Sequence, residues 1–268
     1  MKVANKVIVV TGGGSGMGRE LVLQLLKRGA RVITVDINET SLAETVAIAA
    51  AGDRLAVFSL NIADRPAVEA FADKAIARFG HVDGLINNAG IIQPFVRLND
   101  LEWSAIERVM AVNWLGTLSL TKSLLPHLLT RPEGHIMNVS SMGGFLPVPG
   151  QIIYGASKAA VKLMTEGLFA ELQGTNVHVT IVFPGAIATN ITTNSGVKMD
   201  LPAGDAAKKS SIKMTPADKA ATMMIDGMEK NAFRVLVGPD AKLMDAVYRL
   251  NPQRAVAFIT NQMKELLK

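Results

Sequence analysis

The chain has no cysteine among its 268 residues, which removes disulfides, a thiolate nucleophile and any cysteine-based zinc site. Its four histidines, His81, His127, His135 and His178, lack metal-ligand spacing, so no metal is expected. No apolar run approaches the roughly 18 residues of a membrane span. The apolar stretch at residues 7–10 is also too short for a signal-peptide core, and a cytoplasmic location is expected. Aromatic residues are sparse at 5%, so a phenol doing chemistry has only two candidates, Tyr154 and Tyr248. The formal charge of +5 is not gathered into the dense basic runs of a nucleic-acid binder. Residues 241–268 hold five basic and two acidic residues. That excess reads as a solvated helical face, with a patch for an acidic carrier, an acyl thioester or a membrane surface as the alternative. Trp103, Trp114, Met223, Met224 and Met228 are read as packing residues.

Hydrophobic residues make up 49% of the chain and charged residues 19%, enough for a substantial globular core. Short runs rich in valine and isoleucine recur at residues 6–10, 31–35, 55–60, 84–87, 135–139, 178–183 and 234–237. They are mostly continuous rather than alternating, as in strands buried on both faces. Helical patterns at 18–28, 40–51, 66–79, 156–172 and 216–229 separate several of them. The alternation predicts an α/β fold: a doubly wound, Rossmann-like parallel sheet of about seven strands with helices on both faces. No repeat or low-complexity linker divides the chain, so residues 1–268 are expected to form one domain. Two regions break the rhythm. Residues 189–215 are long, polar and marked by Gly196, Pro202 and Gly204, which suggests a substrate lid. Residues 239–268 read as a helical extension, split by Pro252.

The first strand runs into Thr11-Gly12-Gly13-Gly14-Ser15-Gly16-Met17-Gly18, and a helix pattern follows directly. Glycine lets the backbone approach a ligand closely, and a helix N-terminus offers unpaired N–H groups to a pyrophosphate. Gly12, Ser15, Gly16, Met17 and Gly18 are therefore candidate cofactor residues. The spacing is Gly-x-x-x-Gly-x-Gly rather than the standard Gly-x-Gly-x-x-Gly. Asp36 ends the second strand, 20 residues beyond Gly16, where an acid can hydrogen-bond a ribose hydroxyl. A carboxylate there repels a 2′-phosphate. Neither the loop nor Ile37, the residue after Asp36, supplies a cation to offset it, so NAD(H) is favoured over NADP(H).

Tyr154-Gly155-Ala156-Ser157-Lys158 places a phenol and an ammonium four residues apart, on one face of a helix. An unperturbed tyrosine titrates near pH 10; a close ammonium is expected to draw that value down toward the working range. Ser140-Ser141 ends the fifth strand, and Ser141 precedes Tyr154 by 13 residues. Asn87-Asn88-Ala89-Gly90 ends the fourth strand, and Pro184-Gly185-Ala186-Ile187-Ala188-Thr189 follows the sixth. Polar strand ends in series at one sheet edge mark a ligand-binding rim.

Together these motifs resemble the classical short-chain dehydrogenase/reductase family, with the match running from about residue 6 to residue 237. The resemblance implies that Tyr154 is the general acid/base, that Ser141 orients the reacting oxygen, and that Lys158 both tunes Tyr154 and binds the nicotinamide ribose. Asn113, by itself a routine helix-surface residue, is similar to the family asparagine that supports a proton-relay water. Asn88, Ala89 and Gly90 are implied to line the cofactor, with Pro184, Gly185, Ile187 and Thr189 toward its carboxamide end. Two positions depart from the pattern: Asn61, followed by Ile62, stands where the family often has an aspartate near the adenine, and Met17 replaces the usual isoleucine. The implied activity is hydride exchange between NAD(H) and a secondary alcohol or ketone, with a hydrophobic or acyl-type substrate suggested by the lid and tail. A homodimer or homotetramer is implied as well. The alternative is a non-catalytic NAD(H)-binding redox sensor on the same fold, and the intact Ser141, Tyr154 and Lys158 set counts against it.

Overall fold

Strand β1 (Val7–Thr11) is buried along its whole length. Successive side chains of a strand point to opposite faces, and here both faces are dry. Ile8 and Val10 enter one apolar cluster with Leu21, Leu25, Met224 and Met228. Val7 and Val9 enter a second, with Val68, Phe71, Leu120 and Leu124. Each such side chain, fully buried, contributes on the order of 1.5–3 kcal/mol. That two-sided burial is why the strands read as continuous rather than alternating apolar runs.

The computed structural model describes residues 1–197 and 214–263. After β1 come α1 (Gly16–Lys27), β2 (Arg31–Asp36), α2 (Glu39–Ala49), β3 (Leu55–Ser59), α3 (Arg65–Phe79) and β4 (Gly84–Asn87). Next are α4 (Trp103–Met110), a π-helical turn (Ala111–Gly116), α5 (Thr117–Leu129), β5 (Gly134–Val139), α6 (Ile152–Glu171) and β6 (Val177–Pro184). The remainder is β7 (Ile187–Ala188), α7 (Ile191–Asn194), β8 (Thr215–Pro216), α8 (Ala217–Glu229), β9 (Arg234–Val237), α9 (Pro239–Leu250) and α10 (Pro252–Gln262). Seven strands form one parallel sheet in the order β3-β2-β1-β4-β5-β6-β9, and β7 pairs with β8 apart from it. The order reverses between β1 and β4, which opens a crevice at the C-terminal strand ends. Helices α1 and α8 pack on one face; α3, α5 and α6 cover the other.

Caps place several boundaries. Asn38 Oδ1 accepts from Ser41 N at 2.9 Å and starts α2, while Asp64 Oδ1 accepts from Ala67 N at 3.1 Å before α3. Asn251 caps α10 by accepting from Arg254 N at 3.0 Å, so the tail breaks at Pro252 as expected. The lid proposed at 189–215 falls largely on residues 198–213, outside the described residues, as does the end of the tail. Three features depart from expectation. A long helical stretch absent from the sequence patterns above runs from Trp103 through Leu129, with the π-helical turn inside it and Pro126 in its last turn. Trp103 is 75% exposed rather than packed, because it opens α4 on that helix's outer side. Residues 187–188, read as the turn after the sixth strand, and 215–216, read as the end of the lid and the start of a helix, form a two-stranded ladder. Met224 and Met228 are core residues, with Met223 packed against the same cluster.

Candidate active site

The chain turns sharply out of β1 into α1. Gly12 has φ +73°, and a Cβ on Gly18 would stand 1.9 Å from the Gly12 carbonyl oxygen. Only a glycine at 18 lets the first turn of α1 sit against the loop. The N-cap residue Ser15 makes no side-chain bond to that turn, so its N–H groups remain available to an anion. Thr189 reaches over the same loop, since a Cβ on Gly16 would meet its Cγ2 at 3.2 Å. Asn194 Nδ2 donates to Ser15 Oγ at 2.8 Å.

Asp36 closes the adjoining wall. Its Oδ2 accepts from Gly14 N at 3.0 Å and its Oδ1 from Asn38 N at 3.0 Å, so the carboxylate is fixed rather than free to swing. Arg19, just past the glycine loop, is the nearest cation in sequence; its guanidinium is held by Glu44 Oε2 at 2.6 Å and by the Gly14 and Ser41 carbonyls. The cleft between these walls has a volume of about 520 Å³. Gly12, Ser15, Gly16, Met17 and Gly18 line one side, with Asp36 and Ile37 beside them. Asn61, Ile62, Asn88, Ala89, Gly90 and Thr189 complete the predicted set in its walls. A glycine-walled cradle with free N–H groups, a fixed carboxylate and apolar Ile37 and Ile62 fits a dinucleotide. Pro184, Gly185 and Ile187 do not border this cleft. Pro184 ends β6, Gly185 follows it with its N–H donated to the Val237 carbonyl at 2.9 Å, and Ile187 opens β7.

In the second half of the site Lys158 is buried, and Ser141 and Tyr154 are half-buried. Ser141 follows β5, and its Oγ accepts from Gly143 N at 3.0 Å. The Tyr154 ring lies beside it: a Cβ on Gly143 would stand 3.4 Å from both Ser141 Oγ and the edge of that ring. Lys158 lies one turn along α6, and its Nζ donates to the Val139 carbonyl at 2.9 Å. A Cβ on Gly90 would stand 3.1 Å from that nitrogen, so Lys158 reaches the edge of the cleft. Burial draws the Lys158 ammonium down to about 8. Burial also pushes the Tyr154 phenol above its ordinary value, with the neighbouring Ser141 hydroxyl working against that rise. The expected downward shift of the phenol is therefore not found: loss of water dominates, and Ser141, not Lys158, is the group that draws the value down.

Asn113 is fully buried within the π-helical turn, not on a helix surface. Its Oδ1 accepts from Ile91 N and its Nδ2 donates to the Ile91 carbonyl, both at 2.9 Å. Nδ2 also donates to Ser157 Oγ at 3.0 Å, and Ser157 Oγ donates to the Tyr154 carbonyl at 2.7 Å. Asn113 thus ties the loop after β4 to the helix carrying Tyr154. π-turns of this kind occur frequently at functional sites.

Several residues were not anticipated. Arg108 lines the cleft and donates to the Ser195 carbonyl at 2.6 Å. Asp240, at the start of α9, accepts from Ala186 N at 2.6 Å. Gln93 bonds to the first turn of α6. None belongs to a motif; Gln93 alone carries a sequence signal, as a polar residue within the apolar stretch at 91–96.

Among the described residues no helix is long and apolar enough to cross a membrane. The family model for short chain dehydrogenases matches residues 6–200. A Mycobacterium tuberculosis protein named as an oxidoreductase, SadH, is 37% identical over 260 residues, covering 94% of each chain. A short chain dehydrogenase/reductase from Burkholderia phymatum, solved with NAD, superposes with a TM-score of 0.84 at 28% identity, over 94% of this chain and 95% of that one. One from Burkholderia cenocepacia, solved with NADP, gives 0.80 at 29% identity, over 97% and 99%.

Proposed function

The chain belongs to the short-chain dehydrogenase family, and on that premise we propose that it is an NAD(H)-dependent oxidoreductase interconverting a secondary alcohol and a ketone. The observation that carries this reading is the meeting of Tyr154, Ser141 and the buried Lys158 in one half-buried corner beside the cleft. When bound, a nicotinamide dinucleotide would accept or supply the hydride. Gly12, Gly16 and Gly18 would hold its pyrophosphate, and Asp36 its adenosine ribose. In oxidation the Tyr154 oxygen, as phenolate, takes the alcohol proton; in reduction the phenol donates it. Ser141 Oγ donates a hydrogen bond to the oxygen on which charge develops. Lys158, while protonated, favours the phenolate and holds the nicotinamide ribose. Asn113 fixes the loop and helix on which these groups stand, and we keep the relay water as its proposed partner.

The fixed Asp36 carboxylate supports NAD(H) over NADP(H), although solved relatives include complexes of each. A hydrophobic substrate is supported by the flank of the Ser141 turn, where Met142, Phe145 and Tyr248 pack around Leu146 and Met244. We read residues 1–268 as one catalytic domain, with 189–215 as lid and 239–268 as extension, acting in the cytoplasm. An apolar groove of about 870 Å³ between α5 and α6, lined by Trp114, Leu118, Leu125, Leu129, Leu163 and Met164, supports a homodimer, or a homotetramer built from it. Leu163 is 69% exposed there. Sedimentation of Leu163→Lys should show monomer if that groove is the interface.

The function is tested by NADH formation on secondary and 3-hydroxyacyl alcohols of increasing chain length. Rates that rise with chain length support the reading. Demonstrable NADH binding with no turnover across the panel favours the sensor.

A further inference from the structure

Helix α6 carries Tyr154 in its first turn, yet its own sequence does not cap it. The N-cap residue, Gln151, makes no side-chain bond to the turn. Its Nε2 donates instead to the Gln93 main-chain carbonyl at 2.8 Å. Gln93 returns the contact from 61 residues away. Its Oε1 accepts from the backbone N–H of Ile153 at 2.8 Å and of Tyr154 at 3.0 Å. Its Nε2 donates to the Gly150 carbonyl at 3.0 Å. Those two N–H groups are the ones a serine or aspartate N-cap normally holds. Gln93 is 1% exposed, so water does not compete for either end of its amide.

We propose that Gln93 is a positioning residue for the acid/base chemistry, fixing where α6 begins and so where the Tyr154 phenol stands relative to the cofactor cleft. The inference rests on the reading of Tyr154 as acid/base. Two features set Gln93 apart from an ordinary cap. One of the N–H groups it holds belongs to Tyr154 itself. It also lies in the loop after β4, whose Asn88, Ala89 and Gly90 line the cleft. Gln93 therefore joins the loop that walls the cleft to the start of the helix, beside the tie that Asn113 makes from Ile91 to Ser157 one turn further along. A local serine or aspartate would cap α6 equally well but would not join it to that loop. Reacting groups displaced by roughly 1 Å lose on the order of 100-fold in rate, so such registration matters for turnover more than for cofactor affinity.

The test uses the scarcity of tyrosine. Tyr248→Phe leaves Tyr154 as the only tyrosine, so a 13C label at tyrosine Cζ gives one NMR resonance that reports its phenol without substrate. In that background Gln93→Leu removes every side-chain hydrogen bond at 93. Gln93→Glu keeps both acceptor contacts to α6, loses the donation to Gly150 and adds a negative charge at the Tyr154 backbone N–H. Gln93→Leu is expected to shift the Tyr154 resonance and to lower kcat about 10- to 100-fold, on any alcohol turned over in the panel above, with NADH affinity retained. Gln93→Glu is expected to recover most of kcat and to move the phenol titration and the pH–rate profile to higher pH, because an anion disfavours the phenolate. A wild-type resonance and kcat in Gln93→Leu would overturn the proposal. So would NADH affinity falling in step with kcat, which marks a general structural role. If Gln93→Leu does not fold, Gln93→Glu decides alone, and an unshifted pH profile contradicts the proposal. Should Tyr154→Phe keep its turnover, the acid/base reading falls, while the Tyr154 resonance still reports whether Gln93 sets its position.

Discussion

At its glycine-loop end the site is walled by backbone and small residues, with Gly12, Gly16 and Gly18 facing a cleft of about 520 Å³. At its Tyr154 end, side chains reach between distant loops: Gln93 to α6, Asn113 to Ile91 and Ser157, and Lys158 to Val139. The first end offers N–H groups and a fixed carboxylate to a ligand. The second withdraws a phenol and an ammonium from water and shifts both. The difference teaches a division of labour: changes at the glycine end should act on cofactor affinity, and changes at the tyrosine end on turnover.

The sharpest break of that comparison is Gly18→Val. A Cβ there would meet a backbone carbonyl oxygen at 1.9 Å, which cannot yield without moving the loop. NADH binding, followed by fluorescence titration, should be lost; retained binding would remove the loop from the cofactor site. Ser141→Ala comes next. Removing a preorganised donor should lower kcat about 10²–10³-fold, with NADH affinity unchanged in the same titration. Equal losses in both quantities would dissolve the distinction between the two ends.

Asp36→Ala sharpens the affinity side. The ratio of NADPH to NADH dissociation constants should fall by about tenfold, near 1.4 kcal/mol. An unchanged ratio would deny Asp36 its role.

The smallest effect is on stability. Lys158 titrates at about 8 in the folded chain against 10.5 when exposed. The unfolded chain therefore binds more protons between those values, and folding stability rises with pH across that window. The contribution is complete above 10.5 and is lost as pH falls through about 8. Relative to Lys158→Met, the wild type should gain in melting temperature between pH 8 and pH 10. A parallel pair of curves would mean that Lys158 is not desolvated.

Local spacing carried the glycine end. Gly12, Gly16, Gly18 and Asp36 lie within a single strand–helix–strand unit, so their meeting follows from helix and strand geometry over 25 residues. The seven strands were legible for a similar reason, since two-sided burial forces continuous valine and isoleucine runs. The tyrosine end was legible only in its chemistry. Tyr154 and Lys158 share a helix face by spacing, but their shifts depend on burial, which packing decides and spacing does not. Asn113 looked like a surface residue because the π-helical turn that buries it has no sequence signature of its own. Gln93, Arg108 and Asp240 act across 50 or more residues. No local pattern encodes such contacts.

The most direct test of the account is Tyr154→Phe, measured for NADH formation on an alcohol that the wild type oxidises and for NADH binding in the same preparation. The phenylalanine ring keeps the packing and removes only the hydroxyl. The account predicts a fall in turnover of roughly 10²–10⁴-fold with NADH affinity close to that of the wild type. Turnover near wild type with intact binding would contradict it.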